Sequence, residues 1–149
     1  MAQDQTKRIR DFMTANPVAV SEKDNIREVA RIMKREDTGV VPVIDEGKRV
    51  IGMVTDRDIV VRLVAEGKDP SNAKVNEVMT KNVRAVREEA TVKEALQVMG
   101  GAHVRRVPVV NTKNELVGIL SLGDIATDTN QVDGIGKTVE EISQAPPNK

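Results

Sequence analysis

The sequence predicts a mixed α/β protein of the α+β kind, made of two β-α-β-β-α repeats in tandem. Three observations carry this. The 149-residue chain matches itself at an offset of 66 residues. Each copy holds one segment of helical periodicity entered through a capping residue. Each copy then runs through two short β-branched segments separated by turn residues.

At that offset RDFMTANPVAVSEKDNIREVARIM lies over NEVMTKNVRAVREEATVKEALQVM, VVPVI over RVPVV, and VIGMVTDRDI over LVGILSLGDI, without a gap. Between 9–61 and 75–127, fourteen of fifty-three positions are identical, where about one in fifteen is expected from ordinary composition. This is an internal duplication. It sets the expected organisation as repeat 8–64, linker 65–74 (AEGKDPSNAK), repeat 75–129 and a polar tail 130–149.

In order, each copy opens on a short strand, PVAV (17–20) or VRAV (83–86). A helix follows through Asn25-x-x-Glu28 or Thr91-x-x-Glu94, spacings that let the cap take an orphan N–H while the glutamate reaches back. Ile26, Val29, Ala30 and Met33, and likewise Val92, Ala95, Leu96 and Met99, fall at helical spacing and are read as core. The hairpins VVPVI/RVIGMV and RVPVV/ELVGIL follow, turning at DEGK and NTKN. Pro42 and Pro108 lack an N–H for a ladder, which points to an edge or a strand start. The tail reads as a short helix at TVEEISQ.

Composition narrows the function. Lys plus Arg and Asp plus Glu number 23 each, without the basic excess that a phosphate backbone demands, and Phe12 is the sole aromatic, so no platform for stacking single-stranded bases exists. Nucleic-acid binding is therefore not expected. The chain has no cysteine and one histidine, His103, read as a helix-terminal residue; no metal site is expected. No apolar run suits a membrane span and the opening MAQDQTKRIRDFM lacks a signal-like stretch, so a cytoplasmic location away from membranes is expected. No nucleophile–base pair is legible, so an enzyme is not expected. GIGKT (134–138) lacks the leading glycine of a phosphate loop and reads as a turn before a helix capped by Thr138; DTNQVDG places Val132 where a calcium loop needs a ligand.

The remaining chemistry sits at GMVTDRDIV (52–60) and GILSLGDIA (118–126), each a glycine-led strand ending in hydroxyl-x-x-aspartate: Thr55 and Asp58, Ser121 and Asp124. The spacing makes a helix capping box worth about 1 kcal/mol. It also suits a nucleotide: a hydroxyl at a helix start can turn to a phosphate oxygen, and a carboxylate one turn in can accept from two sugar hydroxyls. From the residues alone both uses stand.

With these motifs in duplicate, in order and at fixed offset, residues 8–129 resemble a tandem pair of cystathionine-β-synthase (CBS) domains, a Bateman module. GMVTDRDIV followed by a GKDP linker is similar to the short bacterial CBS-pair proteins of the mycobacterial hypoxic-response type. The resemblance implies two sheets packed face to face about a pseudo-twofold axis, with a cleft on either side for an adenosine compound: AMP, ADP or ATP first, with NAD and S-adenosylmethionine as further candidates. It implies Asp58 and Asp124 as ribose ligands, and Thr55, Ser121, Arg57, Arg105 and Arg106 on the phosphate side. Val18, Thr38, Gly39 and Met53, with Arg84, Val104 and Ile119, are the implied adenine pockets. In relatives a cleft joins the first strand of one repeat to the aspartate of the other, so Arg84 and Arg105 would face Thr55, Arg57 and Asp58, the richer in cations of two unequal sites. The plain alternative has these arginines on a solvated edge, paired with Glu36, Asp37 or Glu115. The resemblance further implies a non-catalytic regulatory module, a homodimer, and an effector protein acting in trans. The competing reading is a structural dimer or interaction module whose hydroxyl–aspartate pairs only cap helices.

Overall fold

The computed structural model describes residues 7–126 together with Val139 and Ile142. Its strands are β1 (Thr14–Ala15), β2 (Val40–Ile44), β3 (Val50–Thr55), β4 (Thr80–Lys81), β5 (Val86–Arg87), β6 (Arg106–Val110) and β7 (Leu116–Ser121). The helices are α1 (Ile26–Glu36), α2 (Asp56–Ile59), α3 (Val75–Val78), α4 (Val92–Ala102) and α5 (Leu122–Ala126). Helix α2 runs on through a wider turn, Val60–Val64, in which Ala65 N–H reaches back to Val60.

The chain packs as two units whose limits are not those of the sequence repeats. Among the described residues, one holds Pro17–Val83 with Asn114–Leu116; the other holds residues 7–16, Arg84–Lys113 and residues 117–126. Each repeat thus lends its leading segment to the sheet of the other copy. In the first unit, β2 and β3 form an antiparallel hairpin with Val40 opposite Thr55 and Pro42 opposite Met53, and β4 adds to β3 with Gly52 opposite Lys81 and Met53 opposite Thr80. In the second unit the order is β1-β7-β6-β5, with Thr14 opposite Ile119 and Ala15 opposite Gly118. The offset of 66 relates Thr80 to Thr14 and Met53 to Ile119, so both sheets close in one register.

The glycines that lead β3 and β7 are explained by that closure. A Cβ on Gly52 would stand 2.8 Å from the Thr80 carbonyl oxygen and 2.9 Å from Met79 Sδ. On Gly118 it would run into Met13 Sδ and stand 3.0 Å from the Thr14 carbonyl oxygen. The repeated Met-Thr pair crosses each glycine where a side chain would stand.

The first unit buries Ile26, Val29, Ile32, Val41, Val43, Val54, Leu63, Val75 and Val78, among others. The second buries Ile9, Val92, Ala95, Leu96, Met99, Val107, Val109, Leu120 and Ile125. All four residues read as core on α4 are buried, but α1 is turned by one position: Ile32 is buried, Met33 is partly buried and Ala30 faces solvent.

Three local expectations are corrected. PVAV contributes only Val20, whose N–H donates to the Pro42 carbonyl and whose carbonyl accepts from Ile44. Pro108 lies inside the four-stranded sheet, between β5 and β7, not at an edge. It is tolerated because the parallel pairing of β5 with β6 begins only at Val109, opposite Val86. Neither capping glutamate closes a reciprocal box on the backbone N–H of its cap. Glu28 lies 3.9 Å from Arg31, and Glu94 accepts the Thr91 hydroxyl at 3.1 Å.

Asn25 nonetheless does two jobs: its Oδ1 accepts Arg27 N–H at 2.8 Å, and its Nδ2 donates to the Ser71 carbonyl at 2.6 Å. Asn25→Ala is expected to cost about 1–2 kcal/mol, read as a lower thermal midpoint with the two-state transition kept. Of the tail, Val139 and Ile142 are helical, and Ile142 packs partly buried on the second core. GIGKT, DTNQVDG and the Thr138 cap lie outside the described residues.

Candidate functional site

Alternation along β3 sends Val54 into the core, so Met53 and Thr55 share the opposite face of the sheet, with Thr80 beside Met53 across the β3–β4 pair. Thr55 is the N-cap of α2, and its Oγ1 accepts Asp58 N–H at 3.1 Å while Asp58 Oδ2 accepts Thr55 N–H at 2.9 Å. The second unit repeats this: Asp124 N–H donates to Ser121 Oγ, and Ser121 N–H to Asp124 Oδ2, both at 3.0 Å. Both are reciprocal capping boxes. In each the hydroxyl oxygen serves as acceptor, so its own hydrogen can be given to a ligand oxygen.

The segment before each VPV meets the same turn. Gly39 C=O accepts Asp56 N–H at 3.0 Å, and Arg105 C=O accepts Leu122 N–H at 2.8 Å. The Arg105 backbone is thereby tied to the Ser121 turn of its own unit. Arg57 and Arg105 are exposed and Arg106 is partly exposed. Thr38 turns its hydroxyl to the backbone of Val40, donating to the carbonyl at 3.2 Å and accepting the N–H at 3.3 Å. Val18 and Val104 are both exposed, and Met53 and Ile119 are buried. Arg84 is exposed and sets a guanidinium nitrogen over Gly101, at the last turn of α4, where a cation meets the negative end of the helix.

Asp58 is the one buried charged residue among those described. Two residues absent from the sequence reading surround it. Thr80 Oγ1 donates to it at 3.2 Å from Oδ1 and 3.3 Å from Oδ2, and Arg62 Nε stands 3.8 Å from Oδ1. Thr80 had a signal, since Met79-Thr80 and Met13-Thr14 are identical between the copies. Arg62 stands four residues after Asp58, an acid–base spacing legible on a helix, but the duplication did not mark it because its aligned residue is Asp128.

His103 ends α4 in the left-handed conformation, and among the described residues no three His, Cys, Asp or Glu side chains converge to hold a metal. No helix among the described residues is long and apolar enough to cross a membrane.

The family model of the CBS domain matches residues 9–65 and 75–128. The chain is 38% identical to the uncharacterized protein YlbB of Bacillus subtilis over 138 residues, 92% of each chain. It is 38% identical to hypoxic response protein 1 of Mycobacterium tuberculosis over 117 residues, 78% of this chain and 81% of the relative. The crystal structure of Hypoxic Response Protein I, with two coordinated zinc ions, superposes with a TM-score of 0.74 at 36% identity, covering 81% of this chain and 98% of that one. One histidine and no cysteine give this chain a poor donor set for such an ion. The CBS domain pair of protein MJ0100, in complex with 5′-methylthioadenosine and S-adenosyl-L-methionine, superposes at 0.73 with 26% identity, covering 82% of this chain and 94% of that one.

Proposed function

We propose, from the premise that the chain belongs to the CBS domain family and carries the domain twice, that it is a regulatory module that takes an adenosine compound at its two aspartates. The observation that carries this reading is the duplicated turn on the non-core face of each sheet: a carboxylate set by a backbone N–H, beside a hydroxyl with its hydrogen to give. Asp58 and Asp124 grip the ribose diol, and Thr55 and Ser121 donate to phosphate. Met53 and Ile119 supply aliphatic cover for the base, with Val18, Thr38, Gly39, Arg84 and Val104 at its margin. The adenosine compounds bound by the MJ0100 pair support the ligand class.

Occupancy shifts the protein between arrangements that differ in affinity for the guest, and the signal passes to an effector protein. Val60, Val61 and Val64, 57, 43 and 60% exposed on the turn after α2, favour self-association as a homodimer.

A thermal-shift series with AMP, ADP, ATP, NAD and S-adenosylmethionine tests the reading. A guest at 100 times its Kd adds about 2.7 kcal/mol of stability, a shift of several degrees. One observation favours a second reading: both hydroxyl–aspartate pairs complete capping boxes and need no ligand to be satisfied. A chain freed of bound nucleotide that melts at one temperature with all five compounds is a structural dimer or interaction module.

A further inference from the structure

Asp58 is held more firmly than a capping residue requires. A capping box engages one carboxylate oxygen, and Oδ2 fills that role through Thr55 N–H. The Thr80 hydroxyl adds a contact shared between the two oxygens, 3.2 Å from Oδ1 and 3.3 Å from Oδ2, and Arg62 Nε faces Oδ1 as an ion-pair partner at 3.8 Å. The same Arg62 donates through a terminal nitrogen to the Met79 carbonyl at 3.0 Å, with the Val78 carbonyl at 3.4 Å. These are the residues just before Thr80. One guanidinium therefore faces the carboxylate and anchors the strand that delivers the hydroxyl to it.

We infer that Arg62 is a positioning residue of the Asp58 grip, one that fixes the carboxylate plane and the Thr80 strand together before a guest arrives. This rests on the proposed reading of Asp58 as the acceptor of a vicinal diol. Two neighbouring hydroxyls need both carboxylate oxygens in one set plane, and a carboxylate already held there loses less freedom on binding. The planar fork of arginine spans two carbonyls and a carboxylate at once, which a lysine ammonium on a flexible stem does less well. With its side chain 47% exposed, Arg62 adds little as an ion pair. Its contribution is orientation. The aligned residue in the other copy is an acid, Asp128, so an arginine at this position belongs to the Asp58 copy alone.

Calorimetry with AMP separates the grips: the Asp124→Asn variant reports on Asp58, and the Asp58→Asn variant reports on Asp124. Adding Arg62→Gln to the first is expected to weaken AMP about tenfold, with Arg62→Lys recovering part of the loss. Adding Arg62→Gln to the second is expected to leave AMP affinity unchanged. Equal AMP affinity with Gln, Lys or Arg at 62 in the Asp124→Asn background overturns the inference. So does a loss of similar size in both backgrounds, because that reports general loosening of the fold. Failure of the underlying reading looks different: Asp58→Asn and Asp124→Asn then bind AMP like the parent whatever residue stands at 62.

Discussion

The variant carrying both Asp58→Asn and Asp124→Asn is expected to lose adenosine-compound binding by about a hundredfold or more at each site, while still folding. A carboxylate accepts from both hydroxyls of a diol, and charge-assisted bonds of this kind are the stronger class. Asparagine keeps one acceptor oxygen and replaces the other by an NH2 donor, so the two hydroxyls can no longer both donate to the side chain, and the charge that strengthened both bonds is gone. At about 1.5–3 kcal/mol for a bond to a charged group, the loss reaches two powers of ten. Folding survives because the retained oxygen can still accept Thr55 N–H or Ser121 N–H, and the Thr80 hydroxyl can rotate to accept. Equilibrium dialysis against AMP, beside a melting curve without ligand, reads both halves. Binding at parental strength by the double variant sinks the diol reading.

The largest stability effect is expected at Gly52. Its missing Cβ makes room for backbone, not for a side chain with somewhere to go: the nearest atom is the Thr80 carbonyl oxygen at 2.8 Å, and the next belongs to the buried Met79. Gly52→Ala must therefore push β4 off β3 or distort the hairpin, at about 2–3 kcal/mol, which lowers the midpoint by roughly 5–10 °C. Gly118→Ala meets the end of the Met13 side chain first and the Thr14 carbonyl oxygen at 3.0 Å. A thioether can swing aside, so a smaller drop is expected there. Calorimetric melting of the two variants side by side gives the order, and an unchanged midpoint for Gly52→Ala would mean that β4 does not cross at that residue.

Most of the architecture was legible because duplication doubles every weak signal. The four core positions of α4 follow from periodicity alone, and the caps Asn25 and Thr91 stand where their spacing put them. The rotation of α1 that buries Ile32 and exposes Ala30 was not legible, since Ala, Ile and Met satisfy a helical stripe in more than one phase. Pro108 misled for a related reason. Its missing N–H forbids a ladder bond, yet a sequence does not say where a short parallel ladder starts. At the site, Thr55, Asp58, Ser121 and Asp124 were readable as two pairs. Thr80 reaches Asp58 from twenty-two residues away and Arg62 has no counterpart in the second copy. Thr80 is delivered by strand exchange, which local spacing does not show, whereas Arg62 lies one helical turn after Asp58 and was masked by the capping pattern around it.

That exchange bears on how the molecule can be cut. A fragment ending near the linker lacks β4, so its β3 becomes a bare edge with a glycine-lined gap shaped for a Met-Thr segment. The matching fragment lacks β1 and has the same gap at Gly118. Neither piece is a self-sufficient half; each is completed by the other's peptide, and mixing the two should reconstitute the native pairing. A fragment kept alone would borrow the missing strand from its own kind and aggregate edge to edge.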